Sequence, residues 1–381
     1  MQLVDAFFEE ERLDWGKLVH ACTDGAAVIL DARSGFTKLR KQKNPKVVTL
    51  HCIIHREVLA SRTMTQPLKE ELDTAIKLVN FVRASALNTR LFRWLCQDME
   101  SDYEGLLFHT AVRWLSKGDM LNRLVHLLPE VTQFLEERNK GSLKAAEAFQ
   151  CRLAFLADMF SHLNELNRKL QGADSDIIGH RDEVNAFVSK LELWRGKFET
   201  GRSTTAFPTL ARISETVGGV SDVLKNETII HLNRLQDEFE HYFPDFKSDN
   251  LMMEFTRDPF SFRVDNFPKE EEDIEEQFLD LVHDSAAKTV FAKKSINAFW
   301  ATMPGSYPRV AVAALTLLVV LPSTYLCESA FSSTVVIKTK SRNRLIDLES
   351  DLRCAISKVE SNIEALVKAK QMQKSHQRVC V

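Results

Sequence analysis

Glycine and proline are scarce in this sequence, with 13 Gly and 10 Pro among 381 residues. So few turn-forming residues favour long regular elements, and helices over strands. An excess of one charge is also missing, because 50 basic and 53 acidic side chains leave a net charge of −3. Any contact with nucleic acid must therefore come from a local basic cluster.

Long hydrophobic runs and a cysteine framework are missing as well. The longest apolar run, residues 310–321, is shorter than the roughly 20 residues of a membrane-spanning helix and predicts a helix covered on all sides. Seven scattered cysteines form no disulfide pattern and favour a reducing compartment. The first residues carry early acids and no basic segment, so they do not predict a secretory signal. We therefore expect an intracellular protein without a membrane partner.

Hydrophobic residues make up 44% of the chain, as in folded soluble proteins, and many recur at helical spacing. Leu68, Leu72, Ile76 and Val79 mark one face of a helix, and similar stripes run through residues 121–135 and 153–170. The pattern weakens over residues 200–265, where the segments FPDFKSDN at 243–250 and FTRDPFSFRVDNFPK at 255–269 predict loops anchored by phenylalanines. Helix restarts in the acid-rich segment 269–282.

The two ends of the chain differ from this helical middle. Residues 18–22 and 47–52 are short apolar runs typical of strands, and the segment between them contains a basic cluster. Near the C-terminus, a stripe over residues 345–366 fits core packing and a partner helix equally well. The sequence alone thus predicts a mostly helical protein with a few strands.

Four stretches, in this order, resemble the hAT superfamily of DNA transposases, and most closely its Buster and Charlie group. They are CTDGAAVILDARSGF at 22–36, HCIIHREVLASRTM at 51–64, HTAVRWLSKGDML at 109–121 and LCESAFSSTVVIKTKSRNRL at 326–345. The last stretch departs from the family pattern at Cys327 and Ser329. Descendants of this group persist as BED-zinc-finger and related host proteins, which makes a domesticated protein the expectation here.

The resemblance implies a mostly α fold with a small α/β part: an incomplete RNase H-like core interrupted by a large helical insertion. The expected boundaries are 1–65 for the partial core, 66–300 for the insertion, 301–372 for the final core helices with the hAT dimerisation region, and 373–381 for a basic tail. Since the opening strands of that core are not in this sequence, we expect a sheet of two or three strands, or an edge covered by the N-terminal helix.

The resemblance also implies a catalytic site. Asp24 matches the second aspartate of the family's carboxylate triad and Glu328 its glutamate, and both would be ligands of Mg²⁺ or Mn²⁺. Only Asp5 and Asp14 precede Asp24, in a segment resembling the helix between core strands. Two carboxylates can hold one cation weakly but cannot complete the two-metal clamp, so we expect no catalysis and no cofactor. The alternative is that Asp24 caps a turn before Gly25 and Glu328 is a surface acid.

Candidate DNA contacts come from the family and from the basic cluster. Arg113 and Trp114 resemble the pair beside the bound DNA end, and His55 resembles the histidine beside the active site; an amphipathic Trp at a helix interface is the alternative. The cluster of Lys38, Arg40, Lys41, Lys43 and Lys46 predicts a loop that neutralises phosphates or only connects two strands.

Cys52 and His55 have the spacing of a zinc half-site. Structural zinc takes four ligands, and no second Cys or His pair follows at short spacing. Cys22 and His51 complete the set poorly by sequence position. The interpretation favoured here is that Cys52 is a small core residue.

The leading functional hypothesis is a transposase-derived protein without catalytic activity. It would form a homodimer through its C-terminal region and bind DNA or protein, with no small-molecule substrate. A truncated form of an active, metal-dependent transposase is one alternative, and a helical scaffold without a nucleic-acid role is another. Ancestry favours the nucleus over the cytoplasm.

Overall fold

The computed structural model describes residues 2–26, 29, 35–107, 116–138, 147–172, 176–202, 205–247, 251–266, 272–339, 342, 344–345, 347–357 and 362–369. Within these residues the chain is mostly helical. It divides into two compact units, Met1–Thr324 and Tyr325–Val381. No helix among the described residues is both long and apolar enough to span a bilayer.

A parallel pair of short strands stands near the start of the first unit. The elements there are α1 (Gln2–Glu10), β1 (His20–Thr23), α2 (Phe36–Lys43), β2 (Val48–His51) and α3 (Ile53–Ala60). The register places His20 opposite Val48 and Thr23 opposite His51. The predicted mostly helical protein with a small, reduced sheet is confirmed for the described residues, whereas an RNase H-like core stays a prediction.

Helix α2 replaces the predicted loop between the strands. Its sequence, FTKLRKQK, is rich in good helix formers. Arg40 is fully buried and its guanidinium donates to Thr49 Oγ1 and to the Val48 carbonyl, which fastens the helix to β2. The expected loop is wrong for residues 36–43, which form a helix. One of its basic residues, Arg40, also faces the interior instead of the solvent.

The middle of the first unit is built from helices that bury their apolar stripes. Their bounds are α4 (Gln66–Arg83), α5 (Ala86–Asp98), α6 (Ser116–His126), α7 (Leu128–Glu136), α8 (Glu147–Leu170), α9 (Ile177–Glu199), α10 (Pro208–Thr216) and α11 (Asp222–Tyr242). The three predicted stripes are confirmed, with the second divided between α6 and α7, since Pro129 lies in the first turn of α7 and favours a new helix start.

Helix α8 is the most deeply buried of these helices, and its polar residues tie its neighbours to it. The Arg152 guanidinium donates two hydrogen bonds to Glu227 at 2.7 and 2.8 Å and one to Glu71 at 3.1 Å. The buried Asp158 carboxylate accepts from the backbone N–H groups of Thr209 and Leu210, at the start of α10. Both contacts satisfy polar groups that burial would otherwise penalise.

The loop expected over residues 243–250 is wrong where a short helix forms, whereas residues 258–263, in the second expected loop, form no helix or strand. The weakly patterned segment 200–265 contains more helix than its sequence indicated. Besides α10 and α11 it contains α12 (Pro244–Lys247) and α13 (Leu251–Arg257). Helix α11 escaped detection because Thr228 and His231 occupy buried positions of its stripe, where the pattern expects apolar residues. The phenylalanines do serve as anchors, since Phe243 and Phe246 are buried.

A second hydrophobic cluster is formed by the last helices of the first unit. They are α14 (Glu272–His283), α15 (Ser285–Phe291), α16 (Ile296–Thr302) and α17 (Pro308–Leu318), packed with α13. Trp300 is fully buried at the centre, and its Nε1 donates to the Thr256 carbonyl at 2.8 Å. The expectation that residues 310–321 are covered on all sides is wrong, because Val310 and Ala314 are buried while Val312 is 59% exposed.

The second unit contains three helices within its described residues. They are α18 (Tyr325–Ile337), α19 (Leu348–Ile356) and α20 (Ile363–Ala369). The Asp347 side chain caps α19 by accepting from the Ser350 N–H at 3.0 Å. None of the residues of α18 and α19 is buried, so this unit leaves its apolar side chains at the surface.

Candidate functional site

The candidate site lies at the carboxyl edge of the two-stranded sheet. Because the strands are parallel, Asp24 after β1 and Cys52 after β2 emerge at the same edge. The Cys52 N–H donates to the Thr23 carbonyl at 2.7 Å, which extends the pairing past the end of β2. Helix α3 begins directly after Cys52, and His55 lies in its first turn.

Asp24 forms a turn whose tightness depends on the next residue. Its Oδ1 accepts from the Ala26 N–H at 3.0 Å, and Gly25 has a φ of +75°. A Cβ at Gly25 would collide with the His51 ring, so glycine is required there for both backbone angle and space. Burial, followed by the charge of Arg56, lowers the pKa of His51, whose side chain is hydrogen-bonded to the Asp24 backbone.

The Cys52 sulfur is fully buried and receives several hydrogen bonds. The largest effect on its pKa comes from Cys22, and His55 contributes in the same direction against the opposing effect of burial. Thr324 adds two donors, with its N–H and its Oγ1 each 3.3 Å from Cys52 Sγ. Together they hold the pKa of the Cys52 thiol well below its usual range, which favours the thiolate.

A buried cation lies next to these sulfurs. Arg56 is held by a hydrogen bond from its Nη1 to the Tyr242 carbonyl at 3.1 Å, and its guanidinium stacks 4.6 Å from the Phe243 ring centre. Its charge interacts favourably with Cys22 and Cys52, while burial is the largest effect and lowers its own pKa. The site therefore pairs potential thiolates with a fixed positive charge.

The carboxylates implied by the resemblance do not form a metal clamp within the first unit. Asp24 is exposed, and one of its oxygens is used in the turn. No set of three potential ligands that includes Asp24 lies close enough to share an ion among the described residues of this unit. Glu328 lies in the first turn of α18, exposed, in the second unit.

The candidate DNA contacts have different surroundings. Lys38 and Lys41 are exposed on α2, whereas Lys43 is paired with Asp5 at 3.1 Å. Arg40 is buried, and its guanidinium is engaged inside the protein. His55 is half-buried. Arg113 and Trp114 lie outside the described residues.

Sequence reasoning missed Thr324 and considered Cys22 only as a poor member of a zinc set. Cys22 is remote from Cys52 in sequence and has no spacing signal, and only the parallel pairing of β1 with β2 brings its thiol to Cys52. Thr324 is 272 residues away from Cys52 and arrives because the Ile53 N–H donates to the Pro322 carbonyl at 3.0 Å. The prediction that Cys52 is buried is confirmed.

A comparison with protein families matches the helical part of the chain. Residues 51–199 fit the model of a family described as the FAM200/GTF2IRD2 helical domain. The match begins at the end of β2, includes Cys52 and His55, and ends with α9. That family is related to domesticated hAT-type transposases, so this part of the chain is similar to a transposase-derived host protein.

Proposed function

We propose that this chain is a non-catalytic protein of hAT ancestry that self-associates through its second unit. The family match over residues 51–199 and the order of the four sequence motifs support the ancestry. The observation that carries self-association is the exposed apolar surface of α18.

Helix α18 carries eight apolar side chains among its 13 residues, yet none of its residues is buried. Phe331 is 71% and Val335 72% exposed, four residues apart on one face, and Leu326 and Val336 extend the apolar surface around the helix. Helices of this kind are normally covered, and a contiguous apolar patch on a soluble protein marks an interaction site. A second copy of the same unit supplies a matching apolar surface, as closed symmetric dimers require.

Replacing Val335 with Glu should weaken self-association at least about 10-fold, because a charge would have to be desolvated in the interface. Sedimentation velocity over a range of protein concentrations measures the change. Val223→Glu is the matched control, since Val223 is a 62% exposed valine in the first unit and should leave the association unchanged. A monomeric wild-type protein, or equal dissociation constants for the two variants, would reject the second unit as the interface.

We further propose that the 381 residues alone do not break DNA strands. Asp24 is committed to a turn, and a two-cation mechanism needs a third carboxylate that this sequence does not supply in the family's position. Supercoiled DNA incubated with the protein and Mg²⁺ or Mn²⁺ should show no nicking above background, and Asp24→Ala and Glu328→Ala should behave like the wild type. Metal-dependent nicking that either variant abolishes would support the active-transposase alternative.

DNA contact without cleavage is part of the same proposal. The exposed side chains of Lys38 and Lys41 are one turn apart on α2 and offer two cations to phosphates. Binding of a labelled duplex that weakens from low to moderate salt, and weakens further in a Lys38→Glu, Lys41→Glu protein, would support this role. Salt-independent or absent binding would contradict this role and support the alternative of a helical scaffold without a nucleic-acid role.

A further inference from the structure

Helix α5 carries an apolar stripe that the described part of the first unit leaves uncovered. Leu87, Leu91 and Trp94 follow one another at spacings of four and three, which places them on one face of the helix. Leu87 is 55% and Trp94 67% exposed, and Leu91 is exposed as well, although the opposite face of the same helix is buried. A surface stripe of this composition and spacing is typical of a helix that receives another helix.

Two arginines border this stripe. Arg90 and Arg93 are exposed, and the Nε of Arg90 donates to the Ala86 carbonyl of its own helix at 3.3 Å. Their charges favour an acidic partner. A nucleic acid would pair with these cations through its phosphates but offers little aliphatic surface for Leu87 and Leu91. The stripe and its border therefore fit an acidic helix with apolar residues on one face.

Helix α1 exposes a face of this complementary composition. Leu3 is 88% exposed, Phe7 is exposed four residues later, and none of the residues of the helix is buried. Glu10, also exposed, continues the same face by one turn. The ring of Phe8 lies on another side of the helix and stacks on Trp15 with ring centres 4.1 Å apart. The face with Leu3, Phe7 and Glu10 is thus directed away from that contact.

We infer that α1 of a second copy of this chain docks on the α5 stripe. In this contact the exposed apolar residues of α1 cover Leu91 and Trp94, and Glu10 pairs with Arg90. The two helices run antiparallel, because Glu10 follows the apolar residues of α1 whereas Arg90 precedes Leu91 and Trp94. The partner is a second copy because α1 and α5 leave these faces exposed within one chain.

A two-fold dimer uses the two faces twice. In such a dimer α1 of each copy contacts α5 of the other, so the buried apolar area and the number of ion pairs both double. This interface is separate from the one proposed above, since α1 and α5 belong to the first unit and α18 to the second. The two interfaces together connect more than two chains, which a single interface on α18 does not.

The test uses the full chain with Val335→Glu, so that association through the second unit is weakened. Sedimentation velocity at high protein concentration should then show a residual self-association. Trp94→Glu and Phe7→Glu, both at exposed positions, should each weaken this association at least about 10-fold, because each places a charge in the apolar contact.

A charge exchange shows whether the two faces meet each other. In the same background, Arg90→Glu and Glu10→Arg should each weaken the association at least about 10-fold, because like charges then face each other. The protein with both changes should recover most of the loss. Lys293→Glu is the matched control, since Lys293 is an exposed lysine of the same unit and its reversal should leave the association unchanged. Circular dichroism shows that each variant folds.

The inference would be overturned by a Val335→Glu protein that is monomeric at every concentration. It would also be overturned if the losses for Arg90→Glu and Glu10→Arg added up in the double variant instead of cancelling. Unchanged association of the Arg90→Glu protein together with loss of its binding to a labelled DNA duplex would assign the face to nucleic acid instead. If Val335→Glu does not weaken association at all, the proposal for α18 fails, while the charge exchange still decides this one.

Discussion

Trp300→Ala should lower the free energy of unfolding by about 3–5 kcal/mol, the range for removing a fully buried aromatic side chain from a packed core. The indole is fully buried, with ring centres 5.2 Å from Phe255 and 5.0 Å from Phe299. Its loss would leave a cavity and would also strand the Thr256 carbonyl, which accepts from Trp300 Nε1. Urea denaturation followed by circular dichroism measures the change.

Two further substitutions separate packing from the hydrogen bond. Trp300→Phe keeps most of the ring volume but removes the Nε1 donor, so it should cost less than Trp300→Ala. Trp94→Ala is the matched control, because Trp94 is 67% exposed and its removal should change stability by no more than about 0.5 kcal/mol. Similar losses for Trp94→Ala and Trp300→Ala would contradict the position of Trp300 at the centre of the cluster.

Glu57 should make stability fall as the pH rises from about 4.5 to about 7. Burial is the largest effect on this carboxyl and raises its pKa from 4.5 to about 7, against hydrogen bonds from Asn167 at 2.5 Å and Ser61 at 3.0 Å. A group whose pKa is raised on folding stabilises the protein below its unfolded pKa and loses that contribution as pH rises through the folded pKa. The difference corresponds to about 3 kcal/mol.

Glu57→Gln removes this titration, so the stability of the variant relative to the wild type should rise between pH 4.5 and 7 and stay constant above. The comparison is needed because burial lowers the pKa of His180 and His231, which changes stability in the opposite direction as the pH falls below 6.5. Urea midpoints at several pH values give the profile. Glu137→Gln, at an exposed position, is the control, and identical profiles for the two variants would argue against a buried Glu57 carboxyl.

The helices that could be predicted are those with an unbroken apolar stripe, even where a polar residue such as Asp158 of α8 is buried beside it. Leu153, Leu156, Phe160 and Leu163 of α8 are all buried, and the stripe alone located this helix. The same rule failed where polar residues fill core positions. His231 faces the aromatic cluster around Phe155, at 5.8 Å between ring centres, and a sequence pattern cannot distinguish such a histidine from a surface one.

The prediction of a solvent-exposed basic loop at α2 was wrong because charge, like polarity in α11, does not show which side chains are buried. A basic cluster indicates solvent exposure on average, yet Arg40 directs its guanidinium to β2 and is fully buried. Lys38 and Lys41, on the same helix, are exposed as expected. The sequence gives the composition of the cluster but not the direction of each side chain, which depends on where β2 lies.

The sequence indicated only some of the residues of the candidate site. Cys52 and His55 are three residues apart, and their motif drew attention to them, but one close pair is too few ligands for zinc. Cys22 joins them through strand pairing and Thr324 through a contact from the far end of the first unit. Local patterns cannot report contacts of such long range, whereas the helices depend mostly on local ones.

The attachment of residues 321–324 to the start of the chain has a consequence for biosynthesis. The His20 ring donates to the Leu321 carbonyl at 2.9 Å, and these two residues are 301 positions apart in the sequence. Thr324 donates to Cys52 across 272 positions. At about 5–20 residues per second, a ribosome needs roughly 14–60 s to make the chain between such partners. During that interval the helices in between can fold on the emerging polypeptide, while β1 and β2 still lack their contacts with residues 321–324. We expect this segment to be the last part of the first unit to mature, and the part most dependent on chaperones.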